Sequence, residues 1–194
     1  MGAFKPLLPF GPKTVIETCI GHLRAGGVES IVVVIGKDER AEQLKDRLQS
    51  ANVNFAVNPE PDSEMNASIA CGVRALPEST KAVVINLVDH PAVPGEVIRQ
   101  LVAEWKAGAL LIKPTTGERG GHPVLIDLQF RDELLNLDPN AGLKSFFNSH
   151  SSQLKRVSVN SNLVARDMDT WDDYRALHQE VFGVQPPKLP SGAR

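Results

Sequence analysis

Ser30-Ile31-Val32-Val33-Val34-Ile35 is a run in which the last five positions are all Val or Ile. A strand with one wet face alternates apolar and polar side chains. A run without polar positions needs cover on both faces, the habit of parallel strands buried between helices. Upstream, Thr14 to Arg24 sets Val15, Ile16, Cys19, Ile20 and Leu23 at helical spacing and stops at Gly26-Gly27. Downstream, Arg40 to Ser50 reads as a charged helix with Ala41, Leu44 and Leu48 inward, and Asn54 to Val57 as a short strand. Met65 to Leu76 is a helix, and Ala82 to Val88 repeats the fully apolar strand pattern. Pro94 to Trp105 has proline at its start and Gly108 past its end, the asymmetry of a helix. Strands over Ala109–Lys113, His122–Ile126 and Leu154–Val159 follow, with short helices over Asp132–Leu137 and Gly142–Asn148 and a last helix over Thr170–Val181.

Strands alternating with helices predict an α/β fold, a doubly wound, mostly parallel sheet with helices on both faces. The reading is one domain over residues 1–185 and a mobile, Pro-rich tail over 186–194. A formal net charge of −2 argues against affinity won by neutralising nucleic-acid phosphates, while leaving small phosphorylated ligands open. No apolar run reaches membrane-spanning length and no signal segment opens the chain, so a cytoplasmic protein without nucleic-acid or membrane partners is expected. Cys19 and Cys71 form no Cys-x-x-Cys pair and read as reduced thiols.

Ligands of such sheets bind beyond the carboxyl ends of the strands, and candidate residues cluster there. Asp89 follows the Ala82–Val88 strand directly, a position suited to a hard cation such as Mg²⁺. Its other reading is a helix cap, although the next helix begins near Pro94. Lys5, taken by itself, reads as a solvated lysine. Asn58, Asn66 and Ser68 flank a strand end and a helix start, where phosphate is favoured; a plain N-cap by Asn66 or Ser63 competes. In Arg119-Gly120-Gly121-His122-Pro123-Val124-Leu125 the glycines permit a tight turn, and His122 bonds either a ligand or the backbone. Asp167 and Asp169 open Asp167-Met168-Asp169-Thr170-Trp171-Asp172-Asp173; either can serve a metal, or Asp169 or Thr170 can cap the helix.

Five segments in this order resemble the molybdenum cofactor cytidylyltransferases, from Met1 to about Leu177. Lys5-Pro6-Leu7-Leu8-Pro9-Phe10-Gly11 matches the stretch after the family's phosphate loop. Val88-Asp89-His90-Pro91 stands for Gly-Asp-x-Pro, and Glu64-Met65-Asn66-Ala67-Ser68-Ile69 for Gly-Met-Ser-x-Ser-Leu. Gly117 to Leu125 and Asp167 to Tyr174 complete the set.

The resemblance implies a Rossmann-like fold of the nucleotide-diphospho-sugar transferase type. It implies transfer of CMP from CTP, with GTP the other nucleotide to weigh, to molybdopterin with release of pyrophosphate, and a molybdoenzyme as a further partner. Under it Asp89 holds Mg²⁺ with Asp169 or Asp167, and Lys5, Asn58, Asn66, Ser68 and Asp89 bind the nucleotide. Lys5 and Asp89 are its catalytic pair, and Arg119, Gly121 and His122 face the pterin. Val88 in place of Gly crowds the nucleotide, and Glu64 repels phosphate. Those departures support two rivals: a non-catalytic paralogue that binds nucleotide, pterin or a partner enzyme, and a nucleotidyltransferase with another phosphorylated acceptor.

The family's first strand and its Gly-rich loop precede the lysine, whereas this sequence opens on Met1-Gly2. Without that strand, the Ile31–Ile35 and Val83–Leu87 strands lack their shared neighbour, at about 1–3 kcal/mol per unpaired buried group. The expectation is a natural chain that starts upstream, failing which the two strands close up or another segment lies between them.

Overall fold

The chain begins with a short hairpin whose job is to start the first helix. A 3-10 turn at Lys5–Leu7 leads into β1 (Pro9–Phe10) and β2 (Lys13–Thr14), paired antiparallel. Thr14 then caps α1 (Val15–Ala25): its hydroxyl accepts from the Glu17 amide while the Glu17 carboxylate accepts from the Thr14 amide, a capping box. β3 (Val32–Ile35) crosses through α2 (Glu39–Leu48), capped by Asp38, to β4 (Asn54–Val57), and the two strands pair in parallel. α3 (Met65–Arg74), β5 (Ala82–Ile85) and α4 (Gly95–Lys106) follow.

The remaining strands are β6 (Leu111–Thr116), β7 (Arg119–Gly120), β8 (Val124–Asp127) and β9 (Leu154–Ser158). Between β8 and β9 lie α5 (Arg131–Leu135) and α6 (Gly142–Ser149). The last helix is α7 (Trp171–Phe182). This computed structural model describes residues 3–60, 65–138 and 141–187; Met1, Gly2, Ser63, Glu64 and positions 188–194 of the expected tail lie outside them.

The α/β class is as expected, and the sheet is mixed in detail. β5, β8, β6 and β7 lie in that order, with β9 also on β6. β6 and β9 are parallel, but β8 runs antiparallel to both β5 and β6. The reason is the connection: β6 turns back through Gly117, at a φ of 57°, into β7, and a link this short reverses the chain. Both faces of this sheet are covered. Leu111, Val124 and Ile126 pack towards α3, α5 and α6, while Ile112 and Leu125 pack against Leu101 of α4. That two-sided burial is why the strands carry no polar alternation.

β3 and β5 do not pair; they belong to separate sheets. Between them lies a cavity of about 690 Å³, walled by Cys19 and Ile20 of α1, Val32 and Val34 of β3, and Val83 and Val84 of β5. Every residue of β5 is only half-buried despite its apolar sequence. The strands thus stand apart and do not close up on one another. Burial pushes the Cys19 thiol up to about 12, so it stays protonated at neutral pH.

The ladder parity says which amides face this space. The Asn54 and Asn58 amides donate to Ile31 and Ile35, so Val33 points its backbone at β4 and Val32 and Val34 point away. Leu128 donates to Lys81, so Val83 and Ile85 bond β8 and Val84 points away. Hydrogen exchange read by NMR should find the Val32, Val34 and Val84 amides at least about tenfold less protected than those of Val33, Val83 and Ile85. Equal protection across all six would mean that the two edges are paired in solution.

Candidate functional site

The site is assembled by the docking of the last helix on the first hairpin. Thr170 caps α7 in a second capping box with Asp173, and the exposed Asp169 is the residue before that cap. Tyr174 of α7 donates to the Pro9 carbonyl at 2.5 Å, and the Gly11 amide donates to His178 Nε2 at 3.1 Å. This carries the Lys5 ammonium to Asp169 Oδ1, 2.7 Å away. Thr170, then, is the cap, and Asp169 is left to pair with Lys5. Asp167 is exposed and makes no ion pair among the described residues.

Asp89 stands on the turn beyond β5, and the α4 N-cap is Pro94, so Asp89 caps nothing. Its Oδ1 is buried without a hydrogen-bond partner. Burial raises the carboxyl's pKa, His90 and Lys5 pull it down, and Asp169 pushes it up. Lys5, Asp169 and Asp89 therefore share one electrostatic neighbourhood, although they lie at both ends and in the middle of the sequence.

Next to Asp89 the structure adds a residue that the sequence reading passed over. His90 Nε2 lies 3.8 Å from Asp89 Oδ1, and its ring lies 5.1 Å from that of His122. The Nδ1 atoms of both histidines are buried and unpartnered. The available signal was the repeated His-Pro dipeptide, His90-Pro91 and His122-Pro123, each beside a strand end. Burial, with smaller contributions from His90 and Lys113, pushes the His122 imidazole down to about 4. The ring is neutral at physiological pH.

His122 is held by its backbone: its amide donates to the Val164 carbonyl at 2.9 Å. Gly121 makes that approach feasible, since a Cβ there would sit 2.2 Å from the Val164 oxygen. Its part is close packing rather than contact chemistry. Arg119 is exposed on β7 and pairs with no carboxylate among the described residues.

Asn58, Asn66 and Ser68 form a separate group on β4 and α3. The Asn58 amide nitrogen donates to Ser68 Oγ at 3.1 Å, and its Oδ1 accepts from the Glu60 amide. Asn66 lies within α3, not at its cap, and donates to the Asp138 carbonyl. Its Oδ1 is buried without a partner. The expectations for Ser63 as a cap and Glu64 as a repelling charge fall outside the described residues. Val88, expected to crowd a nucleotide, is half-buried against the cluster of Met168 and Tyr174.

The donor set suits one style of metal binding. Mg²⁺ typically takes one or two carboxylates and fills its remaining positions with water and substrate phosphates. Asp89, with a buried unpartnered oxygen, and its neighbour in charge Asp169 fit that pattern. No group of three metal-donor side chains, as a closed protein cage would need, occurs among the described residues. No described helix is long and apolar enough to cross a membrane.

Known proteins resemble this chain in sequence and in fold. The family model for the MobA-like NTP transferase domain matches residues 1–156. Among curated proteins, nicotine blue oxidoreductase of Paenarthrobacter nicotinovorans is 24% identical over 182 residues, spanning 89% of this chain and 87% of that one. Among solved structures, the manganese complex of Rv0371c from Mycobacterium tuberculosis aligns with a TM-score of 0.78 at 22% identity, over 91% of this chain and 92% of that one. A nucleotidyl transferase of Methanothermobacter aligns with a TM-score of 0.78 at 21% identity, over 92% and 85%. At these identities the two structures speak for the fold.

Two outcomes follow for the His122 corner. A folded imidazole near 4 against ~6.5 unfolded binds fewer protons than the unfolded chain between those values, so its stabilising contribution is complete above about pH 6.5 and is lost as pH falls towards 4. Urea unfolding across that window should show His122→Gln losing less stability on acidification than the parent, by up to about 3 kcal/mol. Parallel curves for the two proteins would refute the buried neutral ring. Gly121→Ala should cost about 1–3 kcal/mol, because its methyl meets backbone that cannot rotate away. An unchanged urea midpoint would show that the strand and the Val164 turn are not in close contact.

Proposed function

We propose, on the premise that this chain belongs to the MobA-like NTP transferase family, that it transfers the nucleotidyl group of CTP to the phosphate of molybdopterin and releases pyrophosphate. The observation that carries this reading is the meeting of Lys5, Asp169 and the unpartnered Asp89 oxygen beyond the end of β5. Support for CTP and molybdopterin in particular comes from the His122-Pro123-Val124-Leu125 segment. GTP is the alternative nucleotide, and another phosphorylated molecule the alternative acceptor.

In this reading an acceptor phosphate oxygen attacks the α-phosphorus. A new P–O–P bond forms, the bond to the β-phosphate oxygen breaks, and pyrophosphate leaves with that electron pair. Protein groups act here by position and charge. Lys5 moves from Asp169 to the triphosphate. That exchange is cheap, since the Lys5–Asp169 pair has an exposed partner and such pairs are worth about 0–1 kcal/mol. Asp89 and Asp169 would hold Mg²⁺, which when bound neutralises charge on the phosphates. Asn66, with its free oxygen, and Ser68 and Asn58 orient the nucleoside. Arg119 and His122 face the acceptor. The fold and this chemistry reside in one domain over residues 1–185, and the reaction product passes to a molybdoenzyme.

The end-to-end likeness to a protein named an oxidoreductase marks a second reading, a redox reaction in the same cleft. Both are tested by one assay set. Pyrophosphate release should require CTP or GTP, a divalent cation and molybdopterin, and Asp89→Asn should lower its rate by about 10²-fold or more, Lys5→Ala by about 10-fold or more. Release undiminished in Asp89→Asn would overturn the assignment of that carboxylate. Absence of pyrophosphate together with oxidation of a reduced nicotinamide dinucleotide would favour the redox reading.

A further inference from the structure

His178 is a buried titratable group that the transfer chemistry leaves unused. It sits on α7 with 2% of its surface exposed. Its two ring nitrogens face unlike partners. Nε2 accepts from the Gly11 amide at 3.1 Å, and Nδ1 lies 2.7 Å from the Val184 carbonyl. An amide N–H only donates and a carbonyl only accepts, so both bonds require a neutral ring with its proton on Nδ1. The first bond reaches back across the chain to the opening hairpin. The second stays with the turn that ends α7 itself.

The surroundings of the ring are apolar or already paired. Phe10 of β1 meets it edge-on at 5.7 Å, and Tyr174 and Phe182 of α7 lie 6.2 and 4.8 Å away. Burial pushes the Tyr174 phenol up to about 12, so it stays neutral. On the hairpin side the Lys5 ammonium is held by Asp169, and the Lys13 ammonium lies towards Gly21 of α1. On the other side Glu180 is paired with Arg166, and Arg175 with Asp172. Among the described residues no carboxylate pairs with His178.

Protonation therefore acts on one bond and spares the other. An imidazolium has two N–H donors and no acceptor. Its Nδ1 still donates to Val184, while its Nε2–H now points at the Gly11 N–H. Two donors face each other in an apolar setting, and the Gly11 amide loses its partner. Gly11 has no room to turn inward. Its backbone is seated against the Phe182 ring, where a Cβ would come within 2.4 Å. Relief comes from the hairpin moving outward. Lys5 lies just ahead of that hairpin and Asp169 just ahead of α7, so their meeting goes with the docking.

We propose that His178 is a positioning residue for Lys5: a neutral imidazole keeps the first hairpin docked on α7 with Lys5 beside Asp169, and a protonated one releases the hairpin. Tyr174 is no substitute, because its bond to the Pro9 carbonyl does not change with pH over the range in which histidine titrates. The docking itself is independent of the nucleotidyltransferase reading. Its consequence for Lys5 as a phosphate ligand rests on that reading.

The Gly11 amide is the reporter. Hydrogen exchange on the full chain, read by NMR as protection factors, should show its protection falling at least about tenfold from about pH 8 to about pH 5, the range over which histidines change charge. The Val33 amide, bonded to β4, is the internal reference and should hold its protection. His178→Gln carries a side-chain oxygen to about the reach of Nε2 and has no charge to gain, so its Gly11 amide should stay protected throughout. His178→Leu should expose that amide to fast exchange at every pH, at least about tenfold above the parent at about pH 8.

Protection of Gly11 that is flat with pH in the parent, or that falls equally in His178→Gln, would overturn the proposal. Near-ultraviolet circular dichroism at about pH 8 checks that each variant is folded, and if His178→Leu is not, the parent against His178→Gln still decides. Binding of manganese–CTP over the same range separates the two ideas. Its affinity should fall with acid more steeply in the parent than in His178→Gln, and equal profiles would refute the placement of Lys5 by His178. Nucleotide bound while Gly11 stays protected in acid refutes the release and spares the transferase reading. Gly11 released by acid in the parent alone, with no nucleotide bound by either protein, does the reverse.

Discussion

The hydrogen bond from Tyr174 to the Pro9 carbonyl, with the Gly11 amide on His178, is the constraint on which the candidate site depends. It ties the last helix to the first hairpin and buries Phe10 between them. His178 can accept from the Gly11 amide through Nε2 only if Nδ1 carries the proton, and Nδ1 does face the Val184 carbonyl at 2.7 Å. The histidine is therefore fixed as one tautomer by two backbone groups. Lys5 and Asp169 meet as a consequence of this docking. Their own ion pair is too exposed to hold the chain ends together.

That division of labour explains the chemistry open to Lys5. A lysine that anchored the fold could not leave its partner. Here apolar packing and two part-buried hydrogen bonds do the anchoring, and the Lys5 ammonium is not needed to hold the fold. Asp89 is the complementary case. Its oxygen is buried and unpartnered, a cost of about 1–3 kcal/mol that the fold carries without structural return. Such costs gather at sites whose partner arrives with a ligand.

Much of this was legible in the sequence, for reasons that can be named. The fully apolar Val32–Ile35 and Val83–Ile85 segments announce strands covered on both faces, and the amphipathic helices between them announce crossovers. Asp89 was legible because a carboxylate directly after a buried strand has few structural duties. The antiparallel course of β8 was not, since composition records burial and not direction; only the shortness of the Gly117 turn hinted at it. Thr170 and Asp169 compete for one cap on paper, and the hydroxyl wins because Asp173 lies three residues on to complete the box. The Lys113–Arg156 pairing was hidden for another reason. Residues 43 positions apart become neighbours only through a parallel register that no local pattern encodes.

A protein with a net charge of −2 can still hold corners of opposite sign because charge is sorted locally. Lys5, beside two carboxylates, makes a corner that is anionic on balance and suits a cation together with phosphate. Lys113 and Arg156, direct partners in the register of β6 and β9, make a corner that is cationic without any metal. Between them stands His122, kept neutral by burial. A neutral imidazole supplies a hydrogen-bonding nitrogen without adding a charge to either side.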